Sequence, residues 1–303
     1  MLDQGVLCKV VRSLEFIIGR DPAVKIYVSV DIEGCSGITH LEHTSETGND
    51  YQRARRLMTQ ETNAAIEGAL AAGATEISLN DGHGGNGNRN LVLEELHPAA
   101  RLITGHPRPT EQMCAINSTY TALMQVGYHT MAGSYGNISH TISGAVVADL
   151  RVNGCSVGEV SLNAYVAGEH GIPCILVTGD QFMSAETLSF MPWAETAIVK
   201  QATGFNSAEC LHPEVAGRII REAATRALSR LHEMKPLVCQ TPVSFELECH
   251  NAGIADSADG MAGVERVNAL TLRYTARQFS EGYDMVWNLI KMGMTNAMLP
   301  GRR

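Results

Sequence analysis

Lys25-Ile26-Tyr27-Val28-Ser29-Val30-Asp31-Ile32-Glu33-Gly34 is the stretch on which the reading of the chain turns. Lys25 to Val30 is rich in β-branched and aromatic residues, the composition of a pleated, half-buried strand. The strand then runs into two carboxylates. Side chains two apart on a strand share a face, so Asp31 and Glu33 project together. Like charges so placed repel unless a cation sits between them or one takes up a proton. Gly34 lets the chain leave in a conformation that other residues avoid. Read by itself, the stretch also fits a solvated strand end before a turn.

Working outward, strands and helices alternate. Asp50 is placed to cap a helix from Tyr51 to about Ala72, with Leu57, Met58, Ala65, Ile66, Ala69 and Leu70 on one stripe and Gly73 as a stop. Strands are expected at 75–80, 101–104, 123–128, 142–150 and 174–178, with a short helix near 91–96 and a longer one from Ser156 to about Glu169. A further helix runs from Pro213 to about Met234. Alternation of this kind points to an α/β fold with a mainly parallel sheet flanked by helices. Beyond Pro236 the pattern changes to antiparallel-type strands at 243–247 and 269–274 and a closing helix at 276–294. Three segments are therefore expected: an N-terminal extension (1–24), a metal-binding α/β catalytic domain (25–200) and a smaller α+β C-terminal domain (201–303).

The 303 residues suffice for one large domain or two ordinary ones. A net charge of −9 argues against a nucleic-acid or anionic-membrane partner, which would call for a basic face. No stretch approaches the length of a membrane span. The eight cysteines are scattered and form no C-x-x-C pair, the pattern of reduced thiols in a cytoplasmic protein. Residues 1–24 carry Lys9, Arg12 and Glu15 through their apolar part and lack the features of a signal peptide.

The loop after the second expected strand has two readings. Gly82-His83-Gly84-Gly85-Asn86-Gly87 matches G-x-G-x-x-G between a strand and a helix, the context of a dinucleotide-binding turn. Against this stand the polar strand end Asn80-Asp81, the bulky His83, and the lack of an acidic residue after the next strand. The other reading is a metal loop. Asp81 and His83 repeat the i, i+2 spacing of Asp31 and Glu33 at a strand end, and His129 ends another strand after Val126-Gly127-Tyr128. Ligands of parallel α/β sheets bind at those ends, and carboxylate and imidazole are what zinc accepts. Ser156-Val157-Gly158-Glu159 reads as a capping box, in which Glu159 serves the backbone of Ser156. His140, in a polar turn entering a strand, is uninformative by itself.

Taken together, these blocks resemble the D-aminopeptidase family of dinuclear zinc peptidases. The resemblance rests on Ser29-Val30-Asp31-Ile32-Glu33-Gly34, Asn80-Asp81-Gly82-His83, Gly127-Tyr128-His129, Ser139-His140 and Val157-Gly158-Glu159 through Gly168, in the family's order. It implies metal ligation by Asp31, Glu33, His83, His129 and Glu159, which displaces the capping reading of Glu159, and a catalytic role for His140. It implies two Zn2+ per chain, a short peptide substrate cut at its N-terminal residue, with D-amino-acid peptides included, and a ring-stacked homodecamer. Three ligand carboxylates would offset most of the +4 of two zinc ions. Asp31, the shorter arm nearer the strand, is expected to bridge them, and Asp81 to orient a histidine ligand. A two-metal hydrolase of another bond, or a nucleotide-binding module using the Gly82–Gly87 loop, are the alternatives.

Overall fold

The computed structural model describes residues 23–297, so the expected 1–24 extension lies almost wholly outside the described residues. In chain order the elements are β1 (Lys25–Val30), α1 (Tyr51–Ala71), β2 (Glu76–Asp81), β3 (Ala100–Ile103), β4 (Ala122–Val126), β5 (Val147–Val152) and β6 (Cys155–Ser156). There follow α2 (Glu159–Glu169), β7 (Cys174–Asp180), α3 (Gln181–Phe190), β8 (Glu195–Gly204), β9 (Ser207–Cys210) and α4 (Pro213–Ser229). The chain closes with β10 (Val243–Cys249), α5 (Ala252–Asp256), β11 (Val264–Arg266), β12 (Thr271–Ala276) and α6 (Phe279–Ala297).

The larger sheet has seven strands in the order β3-β2-β1-β4-β7-β8-β9. Every pairing in it is parallel except that of β9 with β8. From β1 the chain builds outward in one direction through β2 and β3, then returns to add β4, β7 and β8 on the other side. The order therefore reverses at β1 and β4, and a crevice opens outside the carboxyl ends of strands at such a point. The expected α/β class with a mainly parallel sheet is what the chain adopts.

Both faces of this sheet are buried, and β1 shows how. Ile26, Val28 and Val30 point into a core shared with α1 and α4, where Ala64, Ala65, Ala69, Ala216, Ala223 and Ala227 let the two helices pack closely. Tyr27 points the opposite way, into a second core formed with α2, α6 and a five-stranded antiparallel sheet. That sheet has the order β11-β12-β10-β5-β6. It draws strands from 147–156 as well as from 243–276, and Gln201, the expected domain boundary, lies inside β8. Stripes of α6 are anchored in the second core by Phe279, Tyr283, Val286, Leu289 and Ile290. Among the described residues no helix is long and apolar enough to cross a membrane.

Candidate metal centre

The exit from β1 is tied to the exit from β4 by backbone hydrogen bonds. Asp31 N donates to Val126 O at 2.8 Å, and Gly34 N donates to Gly127 O at 2.7 Å. The approach is so close that a Cβ on Gly34 would lie 2.0 Å from Tyr128 O. Gly127, at φ +74°, likewise faces Asp31 O, which a Cβ would meet at 2.2 Å. Glycine at both positions lets the backbone turns carrying Asp31, Glu33 and His129 sit against one another. Beneath them lies Lys200, 1% exposed. Its ammonium donates to Glu33 O at 2.5 Å, Ile38 O at 2.6 Å and Asn137 Oδ1 at 2.8 Å.

The loop after β2 is shaped by Asp81. Its carboxylate accepts from Asn90 N at 2.5 Å, Asn90 Nδ2 at 2.8 Å and Leu91 N at 2.9 Å. Asn90 Nδ2 and Asn88 Nδ2 in turn donate to His83 O at 2.8 and 3.0 Å. Asp81 thus holds the backbone that presents His83 and does not orient an imidazole directly, as had been expected of it. The ring of His83 is oriented by Thr44 O, 2.8 Å from Nε2. A carbonyl only accepts, so Nε2 carries the proton and Nδ1 is turned to Asp31 Oδ1 at 3.2 Å and Glu33 Oε2 at 3.1 Å.

The same logic fixes the other two rings. His129 Nδ1 faces Thr130 O at 3.0 Å, leaving Nε2 3.4 Å from both Asp31 Oδ2 and Glu159 Oε1. His140 Nδ1 faces Ile138 O at 2.9 Å, leaving Nε2 3.9 Å from Glu159 Oε1. The two rings stack, with centroids 4.0 Å apart and planes 8° from parallel. Backbone carbonyls that each hold one imidazole nitrogen are the usual outer partners of metal-binding histidines. Glu159 opens α2, but its carboxylate does not return to Ser156: Oε1 accepts from Ile142 N at 2.6 Å and Oε2 from Gln112 Nε2. Gly158 occupies the N-cap position and no side chain caps the helix, so the capping-box reading fails.

Asp31, Glu33, His129 and Glu159 are each 3% exposed or less. Burial by itself would push Asp31 up, yet the imidazoles of His129 and His83 beside it hold it well below the usual carboxylate range. Burial opposes charge on the histidines too. Glu33 with Asp31 raises His83 well above its ordinary value, and Glu159 with Asp31 does the same for His129. The cluster therefore needs positive charge in its midst. Asp31 Oδ2, Glu33 Oε2 and His129 Nε2 are buried with no hydrogen-bond partner among the described residues. Two sets of ligand atoms converge within 4.8 Å: Asp31, Glu33 and His83, and His129, His140 and Glu159. Carboxylate and imidazole donors, turned inward and unpaired, suit a divalent cation of the zinc type. The cleft above them has a volume of about 390 Å³ and is walled by the 82–88 loop, Glu111, Gln112 and one face of α6.

All six residues singled out in the sequence, Asp31, Glu33, His83, His129, His140 and Glu159, thus meet in one place. The nucleotide reading of Gly82–Gly87 fails on the backbone. The glycines lead into a three-residue 3-10 turn at Gly85–Gly87 and not into a helix N-terminus, and His83 points at carboxylates. Sequence reasoning missed Gln112, Lys200 and the carbonyl of Thr44. Gln112 and Lys200 are buried polar residues in apolar surroundings, a signal visible only once burial is known; a carbonyl carries no signal at all.

A sequence profile of the D-aminopeptidase family matches residues 24–288. The D-aminopeptidase of Bacillus subtilis (strain 168) is 34% identical over 272 residues, covering 89% of this chain and 98% of that protein. The solved structure of the Zn-dependent D-aminopeptidase DppA from Bacillus subtilis, described as a self-compartmentalizing protease, superposes with a TM-score of 0.88. It is 32% identical and covers 91% of this chain and all of that one. With a family profile spanning most of its length and the strand-end residues gathered at the switch point of the sheet, the chain belongs to the D-aminopeptidase family of peptidases.

Proposed function

We propose that the protein is a zinc-dependent aminopeptidase that removes the N-terminal residue of short peptides, D-amino-acid peptides among them. The observation that carries the reading is the set of buried, unpaired donor atoms on Asp31, Glu33 and His129, facing His83 and Glu159. Two zinc ions would be held, by Asp31, Glu33 and His83 on one side and by Asp31, His129 and Glu159 on the other. Asp31 suits the shared position because Oδ1 faces His83 and Oδ2 faces His129. When bound, zinc would polarise the scissile carbonyl and bring the pKa of a water toward ~7.

The remaining tasks fall to side chains. His140 Nε2, with its lone pair set by the Nδ1 contact to Ile138 O, is placed to take a proton from the attacking water and return one to the leaving amine. Gln112 and the backbone of Ile142 hold Glu159 against His129, and Thr44 O holds His83. The relative's description as self-compartmentalizing supports an assembled ring, for which a homodecamer in the cytoplasm is our reading.

The test is direct. The purified protein should contain two zinc ions per chain by mass spectrometry of metals. It should release p-nitroaniline from D- or L-alanyl p-nitroanilide and leave p-nitrophenyl phosphate intact. Hydrolysis of the phosphoester in place of the anilides would overturn the assignment. Comparing the D and L substrates fixes the stereochemical preference.

A further inference from the structure

The cleft is lined by more than the acidic residues. α6 presents Trp287, Lys291 and Met294 to it, at spacings of four and three that place them on one helix face. Among the described residues that line the cleft, Lys291 is the sole lysine or arginine. Its side chain is 39% exposed, and its ammonium pairs with Glu111, whose side chain is 7% exposed. An ammonium has three N–H donors, so one is held by Glu111 and two remain to serve a ligand.

Glu111 is fixed there by the strands that carry the metal residues. Thr110 and Glu111 adopt φ of +54° and +38°, a region that non-glycine residues occupy at a cost. The turn is pinned from below: Ser29 Oγ donates to Gln112 O at 2.9 Å, Asn80 Nδ2 donates to the same oxygen at 2.5 Å, and Tyr27 OH donates to Cys114 O at 2.8 Å. One residue along, Gln112 touches Glu159. A single rigid turn therefore carries a contact to the metal cluster and the anchor of the lysine. The acidic ligand set and a positioned cation line the same cleft, whose volume of about 390 Å³ is at the small end for a ligand site.

We propose that Lys291 receives the free α-carboxylate of a short peptide whose N-terminal residue lies at the metal centre, and so selects small peptides with an unblocked C-terminus. Glu111 is the positioning residue that holds the ammonium in the cleft. The inference rests on the aminopeptidase reading of the same site and deepens it.

Alanyl-alanine and its C-terminal amide, in the stereochemistry the enzyme accepts, test it. A charged hydrogen bond to a partly exposed lysine is worth roughly ten-fold in affinity. The zinc-loaded wild-type protein should have a KM for the free acid about ten-fold below that for the amide. In Lys291→Met the ratio should fall to about one, and in Lys291→Arg most of it should persist. Equal KM values for acid and amide in the wild type, or an acid preference that survives in Lys291→Met, would overturn the proposal. Calorimetric binding of the same pair reads the ligand site without turnover. An acid preference lost in Lys291→Met but with no hydrolysis would uphold Lys291 and sink the peptidase reading; binding with no acid preference would sink the role of Lys291.

Discussion

Replacing Lys200 by Met gives the sharpest physical test of how the centre is built. Methionine keeps much of the side-chain length and removes every donor. The 1% exposed ammonium now serves Glu33 O, Ile38 O and Asn137 Oδ1, and burial lowers its pKa, so its charge is already held at a cost. The substitution leaves three buried acceptors without a partner, each worth ~1–3 kcal/mol. Relief of the buried charge offsets part of that loss, which places the net near the low end, about 3 kcal/mol. For a chain of this size each kcal/mol shifts Tm by roughly 2 °C, so calorimetry should show a drop of about 6 °C. The loss is also local. Two of the three acceptors bracket the turn behind Glu33, so zinc held by Asp31, Glu33 and His83 should weaken more than zinc held on the side of His129 and Glu159. Competition with a chromophoric chelator separates the two. A Lys200→Met protein with an unchanged Tm and two unchanged zinc affinities would refute the reasoning.

Removing Asp31 as alanine should empty both zinc positions, whereas Glu33→Ala should leave about one zinc per chain, as counted by mass spectrometry. His140→Ala should keep its zinc and lose roughly 10²–10⁴ in kcat, the usual contribution of a positioned acid–base group; a zinc lost along with the activity would make His140 a ligand, as its place beside His129 and Glu159 also permits. Glu61, buried against Ser36 N at 2.8 Å, is pushed by burial from 4.5 to about 7. A carboxyl whose folded pKa is raised binds more protons folded than unfolded, so its contribution is full below pH 4.5 and is lost as pH rises through about 7. That shift is worth about 3 kcal/mol, so Glu61→Gln should gain on the wild type by up to that much between pH 4.5 and 8, read by urea denaturation across the range.

The parts of the fold that could be read in advance are those whose local composition agrees with their burial. β1 is apolar on both faces because both faces are covered, and its run into Asp31 and Glu33 gave away the sheet edge and the site together. α1 and α4 announced themselves through apolar residues at helical spacing. The segment 179–210 announced nothing. β8 carries Glu195, Thr196, Lys200 and Gln201, and Lys200 sits in its interior for the sake of the site and not of the sheet. The stretch 142–150 looked like one strand, yet only Val147–Val152 pairs. Ile142, at φ +61°, instead turns its N–H to Glu159. The smaller sheet joins strands nearly a hundred residues apart, and no local pattern encodes that partnership.

Glu159 shows why motif and function were hard to separate here. A carboxylate in the first turn of a helix is favoured by the helix dipole whatever else it does, so the same residue type satisfies a capping box and a metal site. What distinguishes them is the direction of the side chain. The β-extended Gly158 stands at the N-cap position and Ile142 N takes up one oxygen of Glu159, which leaves the carboxylate aimed at His129 across the gap between α2 and β4. The residue is favoured locally and faces a partner remote in sequence. Asp31 makes the complementary case: its two oxygens face two different histidines, because β1 lies between β2 and β4 and so has a neighbouring strand end on each side. A carboxylate on any edge strand would have only one such neighbour. In the proposed centre, sharing by Asp31 would therefore follow from strand order, and moving the acidic pair to the edge strand β3 by paired substitutions should not rebuild a two-metal centre.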